Sequence, residues 1–292
     1  MKPDSEELPA GFPVMEDLTV REVRAYLESR RSVLLPIGIT EQHGHHLPLS
    51  TDALIATGLA RPAGQRLKML VAPTFTLCYS GGALPGTINI SPAVAGLALG
   101  ENLGSLAAQG FRNFYLFLCH GGSENLRALQ DALQMLLRNH PAFSEALIAL
   151  LPVWRLSSPG KGWHAAMADH DWHAGWLETS LVMHLAPDLV RTDRLELDAE
   201  PLLGQLRAHP DNYQQAEKIV DDPFVVARLR QRPDMRVGVM GDPRRASAEL
   251  GREIAEDIVN NLVARIARIE AGADGRYKPA PFTPAPLVLD QD

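Results

Sequence analysis

The sequence predicts an α/β fold, a three-layer α/β/α sandwich built on a mostly parallel sheet. Two observations lead there. Short apolar runs of strand length alternate along the chain with longer segments of helical spacing, and strands separated by helices pair in parallel. The 292 residues, 46% of them hydrophobic, are also enough to bury a sizeable core.

Val33–Ile37 reads as the first buried strand. Asp52 to Ala60 follows as a short, largely apolar helix ahead of Pro62. Met69–Pro73 is the second strand, and Pro92 to Gln109 a helix closed by Gly110, a residue suited to a left-handed C-cap. Asn113–Leu118 and Ala146–Pro152 are the third and fourth strands, with a helix over Glu124 to Arg138 between them. Helices over Gly175–Leu185 and Ala246–Ile269 complete the set. The stretch from about Leu195 to Met235 is polar with few strand signals, which predicts an insertion or a peripheral helical layer. We therefore expect one domain over residues 1–277 and a proline-rich tail over 278–292, either disordered or laid on a neighbour.

Composition narrows the function. A net charge of −7 gives no electrostatic pull toward nucleic acid or anionic membrane. No apolar run is long enough to span a bilayer, and the polar start Met1–Glu7 does not read as a signal peptide. Two cysteines, Cys78 and Cys119, offer no disulfide framework. The expectation is a cytoplasmic enzyme or binding protein.

Seven of the ten histidines fall in three stretches, each at a strand end or helix start, where open α/β sheets build their sites. The first stretch carries Glu41 and His43, two apart and so on one side of an extended segment, with Asp52 at the start of the following helix. Glutamate, histidine and aspartate together suit Zn²⁺ or Mn²⁺, and an aspartate can bridge two such ions. The competing reading is a helix-capping aspartate beside a surface histidine cluster. In the second stretch His120 precedes Gly121 and Gly122, glycines that let a helix N-terminus approach a ligand. In the third, His173 stands just before a helix and Glu178 lies in its first turn, where dipole compensation is the plain alternative. Trp154, Trp163, Trp172 and Trp176 gather nearby, as a pocket wall or as a core cluster.

Taken in order, these blocks resemble the creatininase (creatinine amidohydrolase) family. Leu35 through Pro48 and on to Asp52 is similar to its first metal block, Leu84–Ile88 to its Pro-Gly-Thr loop, and His120-Gly121-Gly122 to its His-Gly-Gly turn. His173-Ala174-Gly175 with Glu178-Thr179-Ser180 resembles its histidine-to-glutamate helix start, and Gly238–Pro243 with Ala246–Ala248 and Gly251 a fifth, weaker block. The resemblance spans roughly residues 33 to 265. It implies a homohexamer with two divalent ions per subunit, Zn²⁺, Mn²⁺ or Fe²⁺. Glu41, Asp52 and His120 would hold one ion, and His43, the bridging Asp52 and a further glutamate the other. His173 would transfer protons.

Two departures stand out. Creatininase itself has a metal-binding glutamate at the position of Gly122, so here the last ligand must be Glu178 or, failing that, Glu124, which is also a candidate catalytic group. Glu178 is the preferred ligand. The loop Cys78–Ala83 also departs from the family pattern, which puts creatinine itself in doubt as the substrate. Substrate contacts are expected from Ser80, Thr87, Gly121, Trp172 and Trp176. The implied reaction is hydrolysis of a small, cyclic amide by metal-activated water. The same centre could instead cleave a carbon–carbon bond in a cyclic ketone such as an oxidised inositol, or merely bind a ligand.

Overall fold

The computed structural model describes residues 14–280. Its main sheet has four strands in the order β2-β1-β3-β4, every neighbouring pair parallel. These are β1 (Ser32–Ile37), β2 (Leu70–Val71), β3 (Asn113–Leu118) and β4 (Leu147–Pro152). The expected strand over Met69–Pro73 contracts to two residues, and a single bridge from Ile37 to Phe75 extends the contact.

Helices cover both faces, which is why the strands read as continuous apolar runs. Leu34, Tyr115 and Phe117 face α2 (Thr51–Leu67), α6 (Trp176–Leu185) and α8 (Ala248–Gly272), packing with Ile55, Leu59, Leu181 and Ile258. Val33, Leu35, Phe114 and Leu116 face the other way, onto Leu99 and Leu103 of α3 (Pro92–Gln109) and Leu129 and Leu133 of α4 (Ser123–Asn139). The three-layer expectation holds.

Several local expectations need correction. Helix α2 does not stop ahead of Pro62 but runs on to Leu67. Proline in a helix interior costs about 3 kcal/mol. The buried face Ile55, Ala56, Leu59, Ala60 and Ala63 continues across it, and a fully buried Leu or Ile contributes about 1.5–3 kcal/mol on its own. Helix α1 (Val20–Ser29) was not foreseen, although Thr19 and Glu22 form a reciprocal capping box at its start. Nor was α5 (Gly162–Ala168).

The polar stretch is only partly helical. It holds α7 (Leu202–Ala208) and an antiparallel hairpin of β5 (Gln214–Glu217) and β6 (Arg228–Gln231). Its strands are exposed or half-buried throughout, so they carry no inside–outside alternation to read. No helix among the described residues is long and apolar enough to cross a membrane. Residues 281–292 of the expected tail, and the start Met1–Glu7, lie outside the described residues.

Candidate metal centre

The first block leaves the carboxyl end of β1 and turns across the top of the sheet. Gly38 permits this: a Cβ there would stand 2.6 Å from the backbone nitrogen of Ala53, so only glycine lets the strand end meet the start of α2. Beyond it, the Glu41 N–H donates to Leu49 O (2.9 Å) and the Gln42 N–H to Thr87 Oγ1 (3.1 Å), fixing the extended segment. Gly44 then reverses the chain at φ +67°, a left-handed conformation favouring glycine. The capping alternative for Asp52 fails. Ser50 occupies the N-cap position without a side-chain cap, and Asp52, buried in the first turn, faces two histidines.

Asp52 is the centre of the arrangement. Its Oδ1 lies 3.4 Å from His43 Nε2, and its Oδ2 lies 3.2 Å from His120 Nδ1. Glu41 Oε2 stands 3.3 Å from the same His120 nitrogen, and Glu178 Oε2 stands 3.7 Å from His43 Nε2. Two donor sets result, Glu41–Asp52–His120 and His43–Asp52–Glu178, with the atoms of each set within 4.8 Å of one another. Glu41, His43 and His173 form a third such grouping. The structure thus brings together all five residues expected as ligands.

The outward nitrogen of each histidine is already engaged. His43 Nδ1 faces Glu41 O at 3.1 Å, and His120 Nε2 faces Tyr79 O at 3.0 Å. A proton held on each of those nitrogens leaves the inward nitrogen as a lone pair, the tautomer a metal ligand needs. His43 Nε2 and Asp52 Oδ2 are buried without a hydrogen-bond partner. Buried polar atoms are rarely left so, and divalent cations satisfy both at once. The donor set fits Zn²⁺ or Mn²⁺.

Electrostatics agree. Among these side chains alone, burial opposes charge on every member. Against that burial, His120 and His173 hold the Glu41 carboxyl at about 2, and His43 with His120 holds Asp52 below its ordinary range. The carboxylates in turn draw His43 up to about 10 and His120 well above its usual value, again against burial. Burial, with some help from Asp52, pushes Glu178 up. A metal ion held by these residues would take the place of the imidazole protons and offset the same excess of buried negative charge.

Glu178 is free to face the centre because another residue caps its helix. Asp171 accepts the Trp176 and Leu177 N–H groups at the start of α6, both at 3.1 Å, which removes dipole compensation as the purpose of Glu178. Glu178 also accepts the Ala174 N–H at 2.6 Å. His173 Nε2 lies 2.7 Å from Gln42 O and 3.0 Å from Gln42 Nε2, and its ring rests against His43 with centroids 4.2 Å apart. Gln42, which also bonds Gly44 N and Gly238 O, was missed in the sequence. It lies between two inward-facing residues, where alternation points it away.

The other expected residues divide. Ser80, Gly121 and Trp172 line a cavity of about 110 Å³ over the centre, with His173, Tyr213, Met235 and Met240. Thr87 does not reach it and instead braces Gln42. Trp176 is turned away, under the Arg245 guanidinium at 4.1 Å and beside a separate cavity against α8. Of the four tryptophans, Trp172 alone lines this cavity, beside Tyr213. Glu124 belongs to neither donor set. Burial and the neighbouring Asp211 raise its pKa. A Cβ at Gly122 would stand 2.7 Å from His120 Nε2, so this turn of His120 leaves no room for a glutamate at that position.

Ser80 does more than line the cavity, since its hydroxyl donates to Glu41 Oε1. Its loop is fastened from three sides. Asn89 Oδ1 accepts the Ser80 and Gly81 N–H groups at 2.9 and 3.0 Å. The Tyr213 hydroxyl donates to Ser80 O at 3.0 Å, and Gln231 Oε1 accepts the Leu84 N–H at 3.1 Å.

Fold and centre together define a metal-dependent hydrolase of the α/β class. The family model described as "Creatininase: Creatinine amidohydrolase" matches residues 16–266. The chain belongs to the creatininase family. It is 33% identical over 270 residues to the mycofactocin precursor peptide peptidase of Mycobacterium ulcerans (strain Agy99), covering 90% of this chain and 95% of that one. It is 30% identical over 200 residues to the creatinine amidohydrolase of Pseudomonas putida, covering 61% and 74%. A solved structure described as "Creatininase Mn" superposes with a TM-score of 0.68 at 25% identity, over 88% of this chain and 98% of that one.

Proposed function

We propose that this chain hydrolyses an amide bond in a peptide, with two divalent ions held by Glu41, Asp52 and His120 and by His43, Asp52 and Glu178. The observation that carries this reading is the placement of Asp52, one oxygen toward each donor set. Such a pair of ions supplies Lewis acidity and lowers the pKa of water. The chain's own residues supply the rest. His173, held by Gln42 at the cavity wall, moves a proton to the departing nitrogen. Trp172, Met235 and Met240 exclude water around the scissile group, and Ser80 keeps Glu41 oriented.

A peptide substrate is supported by the relative from Mycobacterium ulcerans, named as a precursor peptide peptidase and matched over nearly the whole chain. The cavity of about 110 Å³ takes the scissile amide and its immediate neighbours, and the remainder of a peptide would lie across its mouth. That small volume, with the name of the Pseudomonas putida relative, favours a small cyclic amide as the second reading. Mn²⁺ and Zn²⁺ are the proposed metals, and a homohexamer the proposed assembly.

Metal-loaded protein should be offered peptides, cyclic amides including creatinine, and an oxidised inositol, with products followed by mass and by released amine. New amine from a peptide is the expected result. Amine only from a cyclic amide moves the assignment to the second reading. Turnover that releases no amine from any substrate overturns both and favours carbon–carbon cleavage.

A further inference from the structure

The proposed metal ligands do not exhaust the carboxylates around the cavity. Asp211, half-buried in the turn Pro210–Tyr213, lines the same space together with Trp172 and Tyr213. It belongs to none of the donor sets that could hold a metal. Ser123 Oγ donates to its Oδ1 at 3.2 Å, and its own N–H donates to His209 Nδ1 at 3.1 Å. Neither bond brings a cation to the carboxylate. The arginines on either side in the chain are committed elsewhere, Arg207 to Gly241 O at 2.7 Å and Arg232 to Asp234 at 2.8 Å.

A second carboxylate adds to the negative charge there. Glu124, half-buried in the first turn of α4, has its pKa pushed up by burial and by Asp211, against the exposed Arg127. Its Oε2 lies 3.2 Å from the point where a Cβ on Gly81 would stand, and the Tyr213 hydroxyl lies 2.7 Å from that point, so Glu124 stands beside the cavity-lining tyrosine. What separates this pair from a solvated surface cluster is the cavity it borders. That cavity is also lined by Asp52, 2% exposed, whose Oδ2 is buried without a hydrogen-bond partner. A buried polar atom left so marks a space that a ligand completes, and whatever enters this one meets Asp211.

We propose that Asp211, backed by Glu124, determines specificity by receiving a positively charged group of the substrate, an ammonium or a guanidinium, on a residue flanking the scissile bond. The inference rests on the peptide reading above and names the class of peptide. The cavity takes the scissile amide and its immediate neighbours, so a group that reaches Asp211 belongs to one of those neighbours. Trp172 and Tyr213 suit the same ligand, because aromatic faces attract cations. Both rings are fixed by their polar ends, the Trp172 indole N–H donating to Arg207 O at 2.9 Å and the Tyr213 hydroxyl to Ser80 O at 3.0 Å. A carboxylate that meets a cation here forms charge-assisted hydrogen bonds, whereas an uncharged neighbour leaves it without a counter-ion. A basic side chain and a free amino terminus supply the same chemistry, and the test separates them.

Metal-loaded full-length protein should be given short alanine peptides carrying one lysine, arginine, norleucine or glutamate, each with a free and with an acetylated amino terminus. Released amine gives kcat/KM, and calorimetry gives the affinity of any peptide that is not cleaved. The cationic peptide should exceed its uncharged counterpart by at least about 10-fold in kcat/KM or in affinity, as expected for hydrogen bonds to a charged group. A preference for lysine or arginine over norleucine assigns the subsite to a side chain, and one for free over acetylated peptides assigns it to the amino terminus. Asp211→Asn keeps an acceptor for Ser123 and should bring that ratio to within about 3-fold of unity with metal content unchanged. Glu124→Gln should lower the ratio partway, and Asp211→Lys should turn the preference toward glutamate. A wild type without cationic preference, or a preference that survives Asp211→Asn, overturns the proposal. If no peptide is cleaved the peptide reading fails by itself, and the ratio of affinities still decides the subsite. Peptides that neither react nor bind overturn both.

Discussion

Replacing Glu178 by glutamine preserves the length of the side chain and its bond from the Ala174 N–H while removing its charge. Glu178 is one of three donors in the set with His43 and Asp52, so its loss should cost more than loss of an outer partner of a metal ligand, which costs about 10–100-fold in affinity. We take about 100-fold as the floor. With free metal at about 1,000 times the wild-type Kd, binding stabilises the native state by about 4.1 kcal/mol, and a 100-fold weaker site retains only about 1.4 kcal/mol. The difference of about 2.7 kcal/mol corresponds to a melting temperature lower by about 5–10 °C. In metal-stripped protein the sign reverses. Burial, and secondarily Asp52, work against the charge on Glu178, so the neutral glutamine should melt no lower than wild type. The assay is a pair of thermal scans, with Mn²⁺ and after chelation, combined with elemental analysis of desalted protein. Glu124→Gln serves as the comparison and should retain the full metal-dependent gain. If Glu178→Gln keeps both ions while Glu124→Gln loses one, the assignment of the last ligand is wrong.

Three further outcomes are expected. His173→Ala should lower kcat by about 10²–10⁴-fold while metal content stays at the wild-type level; loss of an ion would instead make His173 a ligand. Ser80→Ala removes the hydroxyl that orients Glu41 and should weaken metal binding by about 10–100-fold, read by competition with a chelating dye. Burial, opposed by the N–H groups it accepts, raises the Asp171 carboxyl to about 6. A carboxyl whose folded value is raised favours the folded state most at low pH, and that contribution is lost as pH rises through the folded value. Wild type should therefore lose about 1.4 kcal/mol relative to Asp171→Asn between pH 5 and pH 7. Equal slopes in urea unfolding across that interval would refute it.

Much of this was legible in the sequence because burial writes itself into residue choice. The cores of β1 and β3 are buried on both faces and appear as apolar runs, the edge strand β4 keeps the same apolar character although its first four residues are only half-buried, and Gly110 marks the end of α3 through its left-handed φ of 116°. Glu41, His43 and Asp52 lie close in the chain, so spacing alone proposed them. What escaped depends on contacts between distant segments. Strands β5 and β6 are held by their pairing and by Tyr213 and Gln231 at their base, none of which leaves a periodic trace. Pro62 misled because its local cost is visible and the tertiary burial that offsets it is not. The four tryptophans looked like one wall. Trp172 and Trp176 are four apart in sequence, but the turn before α6, with Ala174 at φ 54°, sends them to different cavities.

The fastening of the Cys78–Ala83 loop constrains how this enzyme could be redesigned. Tyr213 and Gln231 reach from the base of the hairpin to the loop whose Ser80 orients Glu41. A graft that exchanges the segment between α7 and β6 for that of a relative would therefore alter metal affinity along with substrate choice, unless those two side chains travel with it. Conversely, residues 218–227 lie beyond both anchor points and form a module that can be shortened or exchanged without touching the ligands. Selection for a new substrate would thus act on the base of the hairpin and leave its tip free to vary.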